Sequence, residues 1–194
     1  MTIPDGLYDT TSYTAIAGLF LRLLGAIYFA VFSAFLFQAK GLFGKNGILP
    51  IEDFLSEAKN WFGRKRFYRV PTVFWWKSSD KAIMSVMAAG TLLSLLLIFN
   101  VYPPLILSLL FILHLSVVSS GQDFLSFGWE SFLLEITFNA ILLSLTALPN
   151  PFIWMSLNLL LFRFHFQAGA SKILSGDENW RNLTALKYHY ESQP

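Results

Sequence analysis

From Ala82 to Gln122 the chain runs 41 residues without one Asp, Glu, Lys or Arg. As helix, at about 1.5 Å per residue, that is roughly 60 Å, twice the ~30 Å thickness of a bilayer hydrocarbon core. Inside hydrocarbon no water satisfies backbone N–H and C=O groups, so a chain that enters must pair them itself, as helices or as a closed barrel. Tyr102-Pro103-Pro104 lies in the middle of the stretch and divides it, because proline cannot continue a helix and restricts the residue before it. The stretch therefore reads as two crossings joined by a tight turn.

The rest of the chain fits the same solvent. Only 13% of its 194 residues are charged, against about 25% in soluble domains. The apolar runs are rich in Leu, Phe and Ala and lack strict alternation, which favours helices over barrel strands. Five spans are expected, at about 14–38, 82–101, 104–120, 129–148 and 152–172. The first begins about a dozen residues from an acidic N-terminus, Met1-Thr2-Ile3-Pro4-Asp5, and is too long for a signal-peptide core, so it reads as a retained helix. Pro149-Asn150-Pro151 joins the last two spans. The expected fold is all-α: a polytopic transmembrane bundle of about five helices in a single transmembrane domain, residues 1–194.

The loop from about 39 to 81 is long and charged. Within it Ile51, Phe54, Leu55, Ala58, Trp61 and Phe62 share one helical face, opposite Glu52, Asp53, Glu57 and Lys59. Pro50 suits the first turn of such a helix. The pattern predicts an amphipathic helix in the interface plane. Arg64-Lys65-Arg66 follows, suited either to lipid phosphates or to plain solvation. With five spans, this loop, the 119–129 loop and the C-terminus share one side. That side holds 12 of the 14 Lys and Arg residues, counting Lys172. Charge bias would place it in the cytoplasm.

Ionisable residues within spans are expensive toward lipid and normally turn inward and pair. Here they are Arg22, His114, Glu130, Glu135, Arg163, His165 and Lys172. Arg22 shares a face with Gly18 and Gly25, which permits close helix approach. On the fifth span Asn158, His165 and Lys172 fall on one stripe, with Gly169 beside it, and Arg163, Gln167 and Ser171 on another. That span is expected among the other helices, with Glu130 and Glu135 as counter-charges. His114 reads first as a packing residue, and Glu135 with Arg163 as a structural ion pair. Lys172, near a span end, can also snorkel.

Several classes of chemistry find no footing. There is no cysteine, hence no disulfide, thiol chemistry or Cys metal site. His114, His165 and His189 are scattered without an HExxH spacing, and no GxGxxG or P-loop occurs. No metal, cofactor or nucleic-acid partner is implied. Asn182-Leu183-Thr184 fits the N-glycosylation pattern, which acts only in a lumenal setting.

Four ordered motifs carry a resemblance. Gly41-Leu42-Phe43-Gly44 with Gly47-Ile48-Leu49-Pro50 follows the first span. Pro71-Thr72-Val73-Phe74-Trp75 with Ser79-Asp80 precedes the second. Gly121-Gln122, Phe124-Leu125-Ser126-Phe127 and Trp129-Glu130 lead into the fourth, and the stretch from Trp180 to Pro194, with Arg181 and His189, closes the chain. Together they resemble the lipase maturation factor family over nearly the whole length. The resemblance implies a multi-span membrane protein that helps secreted lipases fold and assemble, with membrane lipids and secreted lipases as partners. It implies the endoplasmic reticulum membrane in a eukaryote; in a bacterium the corresponding place is the inner membrane. It also implies a further soluble domain beyond the Tyr188-His189-Tyr190-Glu191 region, which these 194 residues do not include. It puts the long loop in the lumen, against the charge bias, and orientation stays open. No catalytic residues attach to the family. The motifs and span charges give Gln122, Trp129, Glu130, Glu135, Arg163, Trp180, Arg181 and His189 as candidate binding residues.

A more distant similarity is to the vitamin K-dependent carboxylase superfamily. Ala168-Gly169-Ala170-Ser171-Lys172-Ile173, followed by Trp180, resembles the segment carrying that family's catalytic Lys. In this alternative the chain is a membrane enzyme with Lys172 as base, His165 on the same stripe, and an amphiphilic substrate. Ser171 stands where the carboxylase has a first Lys. A transporter or lipid-binding scaffold is a third reading, prompted by the span charges, but repeated halves are absent.

Overall fold

The computed structural model describes residues 10–146 and 150–192, with side chains from Ser12 to Glu191. Of the segments discussed above, Met1 to Asp5, the end of the expected fourth span at Ala147 and Leu148, Pro149, Gln193 and Pro194 lie outside the described residues. Helices run over α1 (Thr10–Phe43), α2 (Ile51–Phe62), α3 (Arg66–Arg69), α4 (Asp80–Ile98), α5 (Pro103–Ser120), α6 (Gly128–Ser144), α7 (Pro151–Leu174), α8 (Glu178–Arg181) and α9 (Ala185–Ser192). Short 3₁₀ turns occupy Gly63–Lys65, Val73–Trp75 and Gln122–Leu125, and there is no strand among the described residues. The chain divides into two compact units, Met1–Ile153 and Trp154–Pro194.

A helix overlaps each of the five expected positions. Among the described residues, α1, α4 and α5 are long and apolar enough to cross a membrane. The chain is an integral membrane protein of helical-bundle type. α1 is longer than expected: 34 residues, about 50 Å of helix, overshooting the ~30 Å hydrocarbon layer.

The hairpin between α4 and α5 turns earlier than its prolines suggest. Asn100 takes a left-handed conformation, φ 60°. Its N–H bonds the Leu97 carbonyl at 2.9 Å, and the Val101 N–H reaches the Leu96 carbonyl at 2.9 Å. This is the paired closure that ends a helix with an αL residue, which Asn tolerates better than most. Tyr102, also left-handed at φ 38°, precedes Pro103, whose fixed φ opens α5.

In the first unit α1 packs most extensively along α4, α5 against both α4 and α6, and α1 also meets α6. The buried positions on α4 are Ile83, Met87, Gly90, Ser94 and Leu97, alternating four and three residues apart, the spacing of a left-handed helix seam. Two glycines set the α1–α4 distance. A Cβ on Gly90 would lie 2.4 Å from the Phe32 ring, and one on Gly25 would lie 2.9 Å from the Ile98 nitrogen. Gly18, expected to share that role, has nothing within 4 Å of a Cβ. Arg22 is exposed rather than turned inward, because the buried face of α1 is the Leu21, Leu24, Tyr28 and Phe32 stripe.

α2 forms as expected, with Ile51, Leu55 and Ala58 buried in the same hydrophobic core and Phe54 packed against it. Its apolar face is thus largely taken by protein. Burial stops at Ala58, and Trp61 at the end of the helix is 84% exposed.

The glycine seam makes a paired test. Gly90→Ala should destabilise the bundle by about 1–3 kcal/mol, since the fully buried Phe32 ring must move. Gly18→Ala should be neutral or slightly stabilising through helix propensity. Thermal unfolding of the two variants in one detergent separates them; equal midpoints would refute the seam.

Candidate functional site

The first unit holds a polar cluster where α1, α5 and α6 meet. His114 on α5 is 0% exposed. Its Nε2 lies 3.2 Å from Oε2 of Glu130, in the first turn of α6. The contact is within ion-pair range but off the axis of a hydrogen bond. Neither ring nitrogen of His114 has an aligned hydrogen-bond partner among the described residues. The ring is also held by edge contacts to Tyr28 at 5.5 Å and Phe32 at 6.3 Å.

Beside it the Tyr28 hydroxyl and Thr137 Oγ1 are 2.6 Å apart. Thr137 donates its single hydroxyl proton to the Leu133 carbonyl at 2.7 Å. Tyr28 is therefore the donor and Thr137 the acceptor. Both are buried, so the pair meets the requirement that polar groups inside a span find partners. Glu130, read from the sequence as a counter-charge to the fifth span, faces His114 within the first unit. Sequence reasoning did not single out Tyr28 or Thr137. The available signal was spacing: Glu130, Leu133 and Thr137 fall on one stripe of α6, and Tyr28 continues the buried stripe of α1.

A roof lies over one end of these helices. The segment after α1 doubles back, with Ile48 N–H to the Gly41 carbonyl at 3.0 Å and Leu49 N–H to the Leu42 carbonyl at 2.8 Å. Gly44 and Gly47 have no room for side chains: a Cβ would lie 2.4 Å from the Lys40 oxygen in one case and 2.8 Å from the Leu42 oxygen in the other. Asp80, first residue of α4, accepts the Lys45 N–H at 2.8 Å and its charge suits a helix N-terminus. Gln122, left-handed at φ 51°, donates through Nε2 to the Leu49 carbonyl at 3.3 Å. Ser116 Oγ accepts the Val73 N–H at 3.1 Å. Three of the four sequence motifs thus meet here as one set of backbone locks. Trp129 stands at the start of α6, exposed, and Glu135 is half-buried one turn and a half further on.

A cavity of about 370 Å³ opens on this roof, lined by Lys45, Pro50, Glu52, Asp53 and Ser56.

The second unit carries the remaining candidates. The Lys172 ammonium sits 4.7 Å from the centre of the Trp180 ring, a cation–π contact. A turn at Gly176, φ 77°, ends α7, and Asp177 Oδ1 caps α8 through the Asn179 N–H at 2.9 Å, which brings Trp180 back toward Lys172. His165 Nδ1 lies 2.9 Å from the Leu161 carbonyl, and Asn158 donates to the Trp154 carbonyl at 2.9 Å. One polar atom of each side chain is thereby bonded within its own helix. Arg163 belongs to α7. Arg181 ends α8, and the His189 ring lies 5.8 Å from that of Tyr190 on α9. Among the described residues no group of three His, Asp or Glu side chains is placed to hold a metal ion.

A family model described as the lipase maturation factor transmembrane domain matches residues 16–194. Lipase maturation factor 1 of Bos taurus is 35% identical over 191 residues, covering 90% of this chain and 34% of its own. The Homo sapiens protein of that name is 33% identical, with the same coverage of each chain. Lipase maturation factor 2 of Rattus norvegicus is 35% identical over 201 residues, 90% of this chain and 28% of its own. The chain therefore spans about a third of the length of the curated relatives it matches. No solved structure matches.

The His114–Glu130 contact is testable by a double-mutant cycle. Glu130→Gln and His114→Phe should each destabilise by about 1–3 kcal/mol, the cost of stranding a buried polar partner. The double variant should fall well short of the sum, and strictly additive losses in thermal unfolding would dismiss the pair. Tyr28→Phe should cost about 1 kcal/mol.

Proposed function

The chain belongs to the lipase maturation factor family, and from that premise we propose that it is the membrane-embedded part of a folding and assembly helper for secreted lipases. The family match over residues 16–194 carries this reading. Its support in the fold is that three motifs of the family build the roof locks, a scaffold role rather than a reaction centre. In this proposal α6 and α7 are the fourth and fifth crossings beside α1, α4 and α5, all in one transmembrane domain. The setting is the endoplasmic reticulum membrane in a eukaryotic host, or the inner membrane in a bacterial one.

Trp129, Trp180, Arg181 and His189 are the proposed client-facing side chains, as aromatic and cationic groups in the first turn of α6 and on the short helices α8 and α9. Gln122 and Glu130 hold the surface that presents Trp129. Glu135 and Arg163 are the proposed polar contacts within the spans. The alternative, an enzyme using Lys172 as base with His165, gains nothing from the geometry. The Lys172 Nζ lies against the Trp180 ring, and the Nδ1 of His165 is turned to its own backbone.

Removing the gene from its host should lower the activity of secreted lipase while lipase synthesis continues. Restoring the gene with Lys172→Ala should recover that activity; restoring it with Trp129→Ala and Arg181→Ala together should recover much less. Unchanged secretion and activity of every lipase in the host after deletion would sink the proposal, and loss of function with Lys172→Ala alone would return the enzyme reading.

A further inference from the structure

Seventeen consecutive residues, Trp61 to Lys77, carry five basic side chains, seven aromatic ones and no acid. The fold consumes only part of them. Val70 and Phe74 are buried. Trp75 Nε1 donates to the Val70 carbonyl at 2.8 Å, and its ring meets Phe67 edge-on at 5.7 Å. The Arg66 guanidinium lies 4.6 Å from the Phe67 ring centre and 5.1 Å from that of Trp75. Left outside are Trp61, Tyr68 and Trp76, exposed by 84%, 85% and 87%, with Phe62 and part of Phe67. Arg64, Lys65, Arg69 and Lys77 are exposed among them.

Trp61 and Phe62 are the uncovered end of the apolar face of α2, which is buried only as far as Ala58; Phe67, Tyr68 and Trp76 lie beyond that helix. They do not wander. The Val73 N–H is fixed to Ser116, in the last turns of α5, and Lys77 stands three residues before the start of α4. The segment is therefore held at the ends of two helices that are long and apolar enough to cross the bilayer. Helices of 19 and 18 residues run about 27–29 Å, close to the ~30 Å of a hydrocarbon core, so their ends match its edge.

We propose that Trp61–Lys77 is a docking surface for the anionic phospholipid headgroups of the bilayer these helices cross. Trp and Tyr rings, apolar with a polar edge, settle at the membrane–water boundary. Each Lys or Arg near an anionic surface contributes about 1 kcal/mol, and no acid within the segment opposes it. Arg66, committed to its two rings, stands apart; Arg64, Lys65, Arg69 and Lys77 meet the phosphates. The surface holds the roof against the membrane, and it does so whether or not lipases are the clients.

The absence of cysteine gives a direct test on the full chain. Tyr68→Cys, labelled with an environment-sensitive fluorophore, is placed in nanodiscs of phosphatidylcholine or of phosphatidylcholine with phosphatidylserine. Brominated lipid then reports contact. Quenching should be stronger in the phosphatidylserine discs and should weaken as salt is raised. Substituting Gln for Arg64, Lys65, Arg69 and Lys77 should lower the docked-to-undocked ratio about fivefold per charge removed. The salt series on the otherwise native chain keeps the test valid if the quadruple variant folds poorly. Equal quenching in both bilayers, insensitive to salt, would overturn the anionic selectivity. No quenching in either would overturn lipid docking itself and leave a protein partner as the occupant.

Discussion

The bundle depends on the absence of a side chain at Gly90. With no Cβ there, α4 comes close enough to α1 for the Phe32 ring to lie against its backbone. Phe32 is fully buried, and its other neighbours follow from that position. It stacks near Tyr28 at 6.0 Å and presents to the edge of His114, which in turn faces Glu130. One line of contacts thus runs from α4 through α1 and α5 to α6. Tyr28 and Thr137 close a second link between α1 and α6. In lipid the hydrophobic effect does not drive helices together, so close packing and interhelical polar contacts must. Both are concentrated on this line.

The roof follows from how the helices end. A helix leaves four carbonyls and four N–H groups without partners at its ends, and here neighbouring segments use them or their flanking side chains as anchorage. Asp80 serves the α4 N-terminus and the Lys45 N–H at once. Ser116 bonds its own helix at the Ile112 carbonyl, 2.6 Å away, and accepts Val73 N–H through the same oxygen. Gln122 spends its left-handed backbone on turning the chain and its side chain on the Leu49 carbonyl. Each residue does a helix-terminal task and a cross-chain task together. That explains why short polar motifs recur where long apolar runs stop.

Much of the fold was legible because its causes are local. Hydrocarbon thickness sets helix length, and Pro103 and Pro104 mark a break, so helix positions came out within a few residues. The α4–α5 turn was displaced toward Asn100 because an αL helix end leaves a weaker imprint than proline. The seam was half legible: Gly25 approaches α4, while Gly18 and Arg22, on the expected face, do not. Face assignment from small residues cannot tell which of two glycines meets a neighbour; that is fixed by Gly90 on the other helix. The polar site was the least legible part. Nothing near His114 in the chain points to Glu130, and charge counting steered Glu130 toward the fifth span instead. Tyr28 carries no formal charge, so a search for ionisable residues passes over it.

The α2 region shows why periodicity alone misjudges a partner. An apolar stripe on a helix says only that the stripe is dehydrated, and lipid and protein dehydrate it alike. For α2 the choice was made by the backbone locks at Leu49 and Val73, which hold the loop down on α5 and the turn after it, so that Ile51, Leu55 and Ala58 enter the core. The following residues have no helical period to read, and their aromatic and basic side chains alternate with no single face. Within them Val70 and Phe74 enter the core, while Trp61, Tyr68 and Trp76 are left exposed. Large rings left this exposed beside two helices long and apolar enough to cross a membrane mark an interaction surface, which is the ground for the lipid docking proposed above.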